Sequence, residues 1–250
     1  VDQNLREVDL YILNKLQHLK KKILDSYRDF DYHIIYHAVS NFFTVDLSAF
    51  YLNFIKDNLY CNSVDSIERR TSQAVIFKLL EETLLLMAPI LSFTTEEAWE
   101  HLPAFPGKEA SIHLHLFPKM EEKYLEQLDT QKWEEITTLR DKILKEIETA
   151  RDRKIIGDSL EADIQLELPG KSYILVHRHS DLFKEILVVS KISVKPSDGD
   201  EEHIVVEKSG GSKCPRCWNW FTEDTAGNKF PELCPRCAKV VKEMNLDTAK

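Results

Sequence analysis

Two identical Cys-Pro-Arg-Cys motifs lie near the end of this 250-residue chain. They span Cys214 to Cys217 and Cys234 to Cys237, and sixteen residues separate them. Each Cys-x-x-Cys turn can direct two thiolates at one ion. A connecting loop of this length lets the two turns complete a tetrahedron with Zn–S distances of about 2.3 Å. Lys213 before the first turn, and Arg216 and Arg236 inside the turns, favour the thiolate form. The spacing therefore predicts one structural zinc ion.

Other uses of paired cysteines fit the sequence less well. A redox Cys-x-x-Cys usually occurs once, beside a strand-to-helix turn. A catalytic zinc keeps an open coordination position, whereas four thiolates leave none. Residues 208–250 are too few to build a large core, so metal binding would supply their folding energy. Cys61 stands alone. This cysteine pattern is not a disulfide framework, and it predicts a reducing, cytoplasmic location.

Helical periodicity dominates the first 105 residues. Asp31 and Asp46 are predicted N-caps of the second and third helices, and Thr94–Glu97 has the spacing of a capping box that opens the fifth. Short connections between five helices predict an antiparallel bundle over residues 1–105. The predicted helices cover residues 4–28, 31–43, 47–58, 64–87 and 94–102.

The rest of the chain divides into three predicted segments. Residues 106–130 form a linker, which the run with Pro103, Pro106, Gly107 and Pro118 indicates. Residues 131–207 form a small α/β unit, which opens with a helix over 131–154 that Gly157 caps. Residues 208–250 form the zinc-binding tail, entered through a flexible Gly-Gly-Ser joint. Within the α/β unit we predict strands at 162–168, 173–176, 186–189 and 204–206, and a short helix at 181–185. The predicted fold class is mainly α.

The charge of the chain is unevenly distributed. The formal net charge is −9, which by itself argues against a partner that carries phosphates. Residues 208–242, however, carry seven Lys or Arg and three Asp or Glu, so this stretch is locally about +4. Local sign matters more than the total for phosphate contact. A nucleic-acid contact near the cysteines therefore stays compatible with the composition.

Several motifs resemble those of aminoacyl-tRNA synthetases. The matching segments of the bundle are 31–38, 42–51, Lys56-Asp57 and 87–94, with Glu96, Glu97 and Trp99 after them. They resemble the anticodon-binding helical domain that isoleucyl, valyl and leucyl synthetases share. Ala150-Arg151, 154–157 and 159–162 resemble the isoleucyl type. Cys-Pro-Arg-Cys-Trp with a second Cys-Pro-Arg-Cys resembles its bacterial form.

This resemblance implies a tRNA-binding piece of a larger, ATP-dependent ligase. The expected partner is isoleucine tRNA through its anticodon stem-loop, and we expect a monomer that does not bind membranes. The chain begins at Val1 rather than methionine, which fits a cut or processed protein. His-Ile-Gly-His-type and Lys-Met-Ser-Lys-Ser-type motifs of the ATP site are not in the sequence. We therefore name no catalytic residue, and a free-standing enzyme is disfavoured.

Arg216 in the first metal turn and Trp218 directly after it are predicted RNA contacts. Trp218 is expected to stack on a base, because a tryptophan left exposed by so small a unit is a platform for an unstacked base. Arg216 is expected to reach backbone or base, because the ion would fix its position. Aromatic residues are crowded in the loop between the two turns, so the alternative is that Trp218 caps a small core. In an alternative function, the zinc-binding tail is a protein-interaction module that has no role in RNA binding.

The missing ATP-site motifs give a first prediction. The isolated chain should not form isoleucyl-adenylate, because the family's two ATP-site motifs are not in the sequence. An isoleucine-dependent pyrophosphate exchange assay measures this directly. Exchange above the enzyme-free blank would show that the motif analysis is wrong.

Overall fold

Helices make up most of the computed structural model, which describes residues 4–223, 225 and 229–244. The predicted class is confirmed: the chain is mainly helical, with small sheets and four clustered cysteines. The chain divides into two units. The first contains the residues up to Leu52 and Asp65–Asp129. The second contains Asn53–Val64 and the residues from Thr130 onward.

The first unit is a helical bundle built around α1. The helix α1 has its apolar residues at helical spacing, and Ile12, Leu16 and Ile23 are fully buried. The hydroxyl of Tyr51 donates a 2.7 Å hydrogen bond to the buried carboxylate of Asp9. Burial and this carboxylate raise the pKa of Tyr51 well above its usual value. The helices up to residue 126 are α1 (Glu7–Asp29), α2 (Tyr32–Asn41), α3 (Asn53–Cys61, in the second unit), α4 (Ile67–Met87), α5 (Ser92–His101) and α6 (Lys123–Glu126).

The predicted break before a third helix is wrong. The chain stays helical from Tyr32 to Cys61, with a π-helical segment, Phe42–Leu52, between α2 and α3. Asp46 lies inside that segment instead of capping a helix, and its carboxylate is 3.8 Å from the Lys15 ammonium. Burial raises the pKa of Asp46. No proline or glycine interrupts this stretch, so nothing in the backbone forces a helix end there.

The predicted capping box at Thr94–Glu97 is also wrong. Helix α5 begins at Ser92, so these residues lie within it. The Glu96 carboxylate instead accepts hydrogen bonds from the Ser111 hydroxyl (2.9 Å) and the Ile112 backbone N–H (3.0 Å). Ile112 is 1% exposed. The segment that follows α5 therefore packs on the bundle, and the first unit extends to Asp129.

A buried ion pair lies inside the first unit. The ammonium of Lys20 is 2.6 Å from the Glu82 carboxylate, and the Lys20 side chain is fully buried. Lys20 also donates to the backbone carbonyl of Lys119 at 2.8 Å. Lys78 contacts the same Glu82 carboxylate at 2.8 Å and Glu121 at 2.5 Å. These carboxylates raise the pKa of Lys78 against the opposing effect of burial. The group ties α1 and α4 to the segment after α5.

The second unit contains a three-stranded sheet covered by helices. The central strand β1 pairs in parallel with β2 and antiparallel with β3. Residues of β1 alternate in burial, with Ile164, Leu166 and Leu168 facing the core, as the predicted period of two requires. The elements are α7 (Thr130–Asp152), β1 (Ala162–Leu168), α8 (Gly170–Arg178), α9 (Ser180–Leu187), β2 (Lys191–Pro196), β3 (His203–Lys208), β4 (Ser212–Lys213), β5 (Trp220–Phe221) and α10 (Pro235–Glu243).

Three local predictions fail in this unit. Residues 173–176 belong to α8, and 186–187 end α9, so neither segment is a strand. The sheet instead uses β2, which begins only after Val188 has ended α9 in the left-handed conformation (φ 55°). Gly157 does not cap α7. The left-handed residue after α7 is Lys154 (φ 59°), and the Gly157 N–H donates to the Glu161 carboxylate at 3.0 Å.

Within the described residues, no helix combines the length and apolar character needed to cross a membrane. The longest helices, α1 and α7, carry charged residues along their exposed faces.

Replacing Lys20 tests the buried ion pair. Lys20→Ala should lower the free energy of unfolding by about 3 kcal/mol, because it leaves a buried carboxylate with one cation fewer. The neighbouring Lys21 pairs with Asp25 on the exposed face, so Lys21→Ala should cost at most about 0.5 kcal/mol. Urea unfolding of both variants measures the difference. Equal destabilisation would show that burial of the Lys20 pair is unimportant.

Candidate metal centre and nucleic-acid interface

The four predicted cysteines meet at one point in the second unit. Their sulfur atoms all lie within 4.8 Å of one another, and none of the four residues is more than 8% exposed. The sulfur atoms of Cys217 and Cys234 are 3.7 Å apart. A tetrahedron with Zn–S bonds of about 2.3 Å has sulfur–sulfur edges of about 3.8 Å. The donor set, Cys214, Cys217, Cys234 and Cys237, therefore fits zinc in both chemistry and spacing.

A backbone hydrogen bond and a nearby glycine with positive φ shape the first metal turn, Cys214–Cys217. It leaves β4 and returns to β5, and the Trp218 N–H donates to the Cys214 carbonyl at 2.9 Å. Gly211 before β4 has φ 90°, and a Cβ there would lie 2.2 Å from the Phe221 carbonyl oxygen. Only glycine allows this close approach. The predicted flexible joint is thus an ordered entry to the hairpin.

The second metal turn, Cys234–Cys237, runs into helix α10. Pro235 occupies the first helical position, where its missing N–H costs nothing. The Cys234 N–H donates to the sulfur of Cys214 at 3.5 Å. This N–H···S hydrogen bond joins the two turns, in addition to the contact between the sulfur atoms of Cys217 and Cys234. We call β4, β5, α10 and the two metal turns the cysteine knuckle.

Hydrogen bonds among the thiols shift the pKa values of Cys217 and Cys234 in opposite directions. Hydrogen bonding with the thiols of Cys234 and Cys237 lowers the pKa of Cys217 well below its usual value. The pKa of Cys234 is raised because its proton is held in that bond. A thiolate is the form that binds a metal. The cluster therefore already favours a thiolate at Cys217.

Arg216 does not point into solvent. Its guanidinium donates to the backbone carbonyls of Cys61 and Tyr60 at the end of α3, and it lies 3.6 Å from the sulfur of Cys237. Its own carbonyl is 3.7 Å from the Cys61 thiol. The predicted RNA contact of Arg216 would have to compete with these interactions.

Trp218, in contrast, is a surface residue. Its side chain is 60% exposed, and the Lys213 ammonium lies 5.6 Å from the ring centroid. Phe221 and Phe230 pack against the buried cysteines, so they supply the apolar side chains of the knuckle. Trp220 is half-buried, and its backbone N–H donates to the Ser190 hydroxyl at 2.7 Å. The alternative in which Trp218 caps the small core does not match this exposure.

The helix α3 is the part of the site that the sequence analysis missed. Asp57 forms a two-fold ion pair with Arg236 of the second metal turn, and Cys61 is buried with the four cysteines. Burial raises the pKa of the Cys61 thiol to about 12, so it stays protonated. Asp57 and Arg236 are 179 positions apart, and no local pattern joins them.

Comparison with known proteins identifies both parts of the chain. A family model described as the anticodon-binding domain of tRNA ligase matches residues 9–166. A second model, described as a zinc finger found in FPG and IleRS, matches residues 211–240. The chain therefore belongs to the anticodon-binding domain family of tRNA ligases.

The individual relatives narrow this family. The chain is 41% identical over 248 residues to the isoleucine–tRNA ligase of Carboxydothermus hydrogenoformans and 39% identical over 250 residues to that of Staphylococcus aureus (strain JH9). Each alignment covers 97% of this chain but 27% of the relative. The chain thus spans about a quarter of the length of the curated relatives it matches. The resemblance to isoleucyl-tRNA synthetases is confirmed.

Metal analysis tests the four-cysteine site. The purified chain should hold about one zinc ion, and a Cys214→Ser, Cys217→Ser double variant should hold none, because two ligands cannot retain it against a chelator. Cys61→Ser is the matched control, since it removes a buried cysteine that is not one of the four ligands. Zinc retained by the double variant, or lost from the Cys61 variant, would contradict this ligand set.

Proposed function

We propose that this chain is the tRNA-binding part of an isoleucine–tRNA ligase. It would recognise the anticodon stem-loop of isoleucine tRNA and position the tRNA for ATP-dependent aminoacylation by a catalytic region outside the chain. The observation that carries the proposal is one chain in which an anticodon-binding domain, over residues 9–166, precedes a cysteine knuckle with an exposed tryptophan. The names of the relatives supply the specificity for isoleucine.

One zinc ion in the four-cysteine cluster would have a structural role. Four thiolates leave no open position for water or substrate, so the ion would hold the two metal turns together. The knuckle has few apolar side chains of its own, and metal binding would supply free energy for its folding. Free thiols are stable in a reducing compartment, which supports the proposed cytoplasmic location. A monomeric state stays a prediction.

The backbone at Trp218 supports a role outside packing. Its φ of 65° lies in the left-handed region, which costs a bulky residue on the order of 1 kcal/mol. Glycine would adopt this conformation without the cost. An exposed ring cannot offset it by burial in the knuckle. The ring is therefore best explained by a ligand that covers it.

An unstacked RNA base is the ligand that suits this ring. Bases of a single-stranded loop stack on aromatic side chains, and each such contact contributes roughly 1–3 kcal/mol. Lys213 beside the ring provides a cation for the neighbouring phosphate. We assign direct RNA contact to Trp218 and Lys213. Arg216, with its guanidinium at α3, would contribute by holding the turn.

Replacing Trp218 tests this assignment. Trp218→Ala should weaken binding of isoleucine tRNA by roughly 1–3 kcal/mol, because the stacking platform is lost. Trp218→Phe should keep most of the affinity. Both substitutes are L-residues at the same left-handed position, so they share its backbone cost and differ by the ring. Fluorescence-anisotropy titration measures the affinities, and zinc content should stay at the wild-type value.

Three other outcomes would change the assignment. Loss of zinc from Trp218→Ala would show that Trp218 is a core residue. Equal affinity of the alanine, phenylalanine and wild-type proteins would remove Trp218 from the interface. If the wild-type chain shows no salt-dependent tRNA binding at all, the protein-interaction module becomes the better interpretation.

A further inference from the structure

Each of the two metal turns contacts helix α3 through an arginine. The arginine in the third position of each Cys-Pro-Arg-Cys contacts α3. Arg236 forms a fork-to-fork pair with Asp57, with one bond of 2.6 Å between Nη2 and Oδ1 and a second between Nη1 and Oδ2. Arg216 donates to the carbonyls of Tyr60 and Cys61. The helix is therefore held at its side and at its end.

Each contact suits the group that makes it. Cys61 is the last residue of α3, and the final carbonyls of a helix have no partner within the helix. The Arg216 guanidinium provides donors for two of them and lies at the negative end of the helix dipole. A guanidinium also matches a carboxylate in two parallel bonds, which fixes the direction of the Asp57 contact better than a lysine could.

Cys61 is buried where the first metal turn meets the end of α3. Cys61 is 6% exposed and belongs to the same buried cluster as the four clustered cysteines. Its thiol donates to the Arg216 carbonyl at 3.7 Å, while the Arg216 side chain donates to the Cys61 carbonyl. Backbone and side chain of the first metal turn thus both contact the end of α3. Trp218 follows Arg216 by two residues.

We propose that Arg216, Arg236 and Asp57 are positioning residues that fasten the cysteine knuckle to α3 and thereby set the orientation of Trp218 toward the RNA. The proposal rests on the proposed stacking role of Trp218. It differs from the expectation that Arg216 contacts RNA itself. An arginine in that role would need a guanidinium group that is free to meet a phosphate.

The variant Asp57→Asn separates the two roles by the sign of its effect. It removes a negative charge, which by charge alone should strengthen RNA binding, and it would free Arg236 for a phosphate. Fastening predicts the opposite: affinity for isoleucine tRNA should fall by up to about five-fold, the upper value for a partly exposed ion pair. Asp200→Asn, in the exposed loop between β2 and β3, removes the same charge elsewhere in the unit and is the matched control.

The salt dependence of binding gives an independent readout. For Asp57→Asn, the slope of log affinity against log salt should stay at the wild-type value, because no phosphate contact is lost or gained. Tighter binding with a steeper slope would show that Arg236 contacts RNA once it is free, and would overturn the proposal. Affinity equal to that of Asp200→Asn would also overturn it.

A charge swap, Asp57→Arg with Arg236→Asp, keeps the net charge and should restore the affinity lost by Asp57→Asn. Failure to restore it, in a swap variant that still holds one zinc ion, would count against fastening by this pair.

Hydrogen exchange of the zinc-loaded 250-residue chain tests the fastening without RNA. Amides of α3 and of the first metal turn should exchange faster in Asp57→Asn than in Asp200→Asn. Unchanged exchange would overturn the fastening. The two proposals can fail separately. If the wild-type chain does not bind tRNA, but Asp57→Asn exchanges faster than Asp200→Asn as expected, the proposed function has failed while the fastening stands.

Discussion

The convergence of four buried sulfur atoms is the constraint on which the end of this chain depends. The apolar side chains packed around them are few, chiefly Phe221, Phe230 and Leu233, and a core of that size does not fold by hydrophobic burial alone. The same convergence has two further consequences. It directs the arginines of both turns at α3, and it leaves Trp218 on the surface. Metal coordination, docking and ligand contact therefore share one short segment.

The parts of this site that are local in sequence could be predicted from it. Two residues between paired cysteines let both sulfur atoms face one point, so the ligand set follows from spacing alone. The strand β1 was also predictable, because its burial alternates along seven residues. The helix α1 shows a clear period over twenty-three residues. Each of these signals lies within one element and needs no knowledge of its neighbours.

The failed strand predictions share a physical cause, since a short apolar run does not distinguish a strand from a helix. Residues 173–176 are apolar and include two β-branched side chains, so they resemble a strand. They nevertheless lie in α8, which buries Val176 and stacks Tyr173 on His177 one turn later. Asp46 resembles a cap by residue type, but the π-helical segment continues through it. The docking of α3 had no sequence signal, because an aspartate and an arginine 179 positions apart match no pattern.

The separation between α3 and the metal turns also has a consequence for synthesis. Cys61 precedes Cys214 by 153 residues. At 5–20 residues per second, the ribosome needs roughly 8–30 seconds to add them. During that interval the last carbonyls of α3 lack the guanidinium that will cap them, and the thiol of Cys61 lacks its covering turn. A newly made chain thus carries an unfinished helix end, which the first metal turn completes 153 residues later.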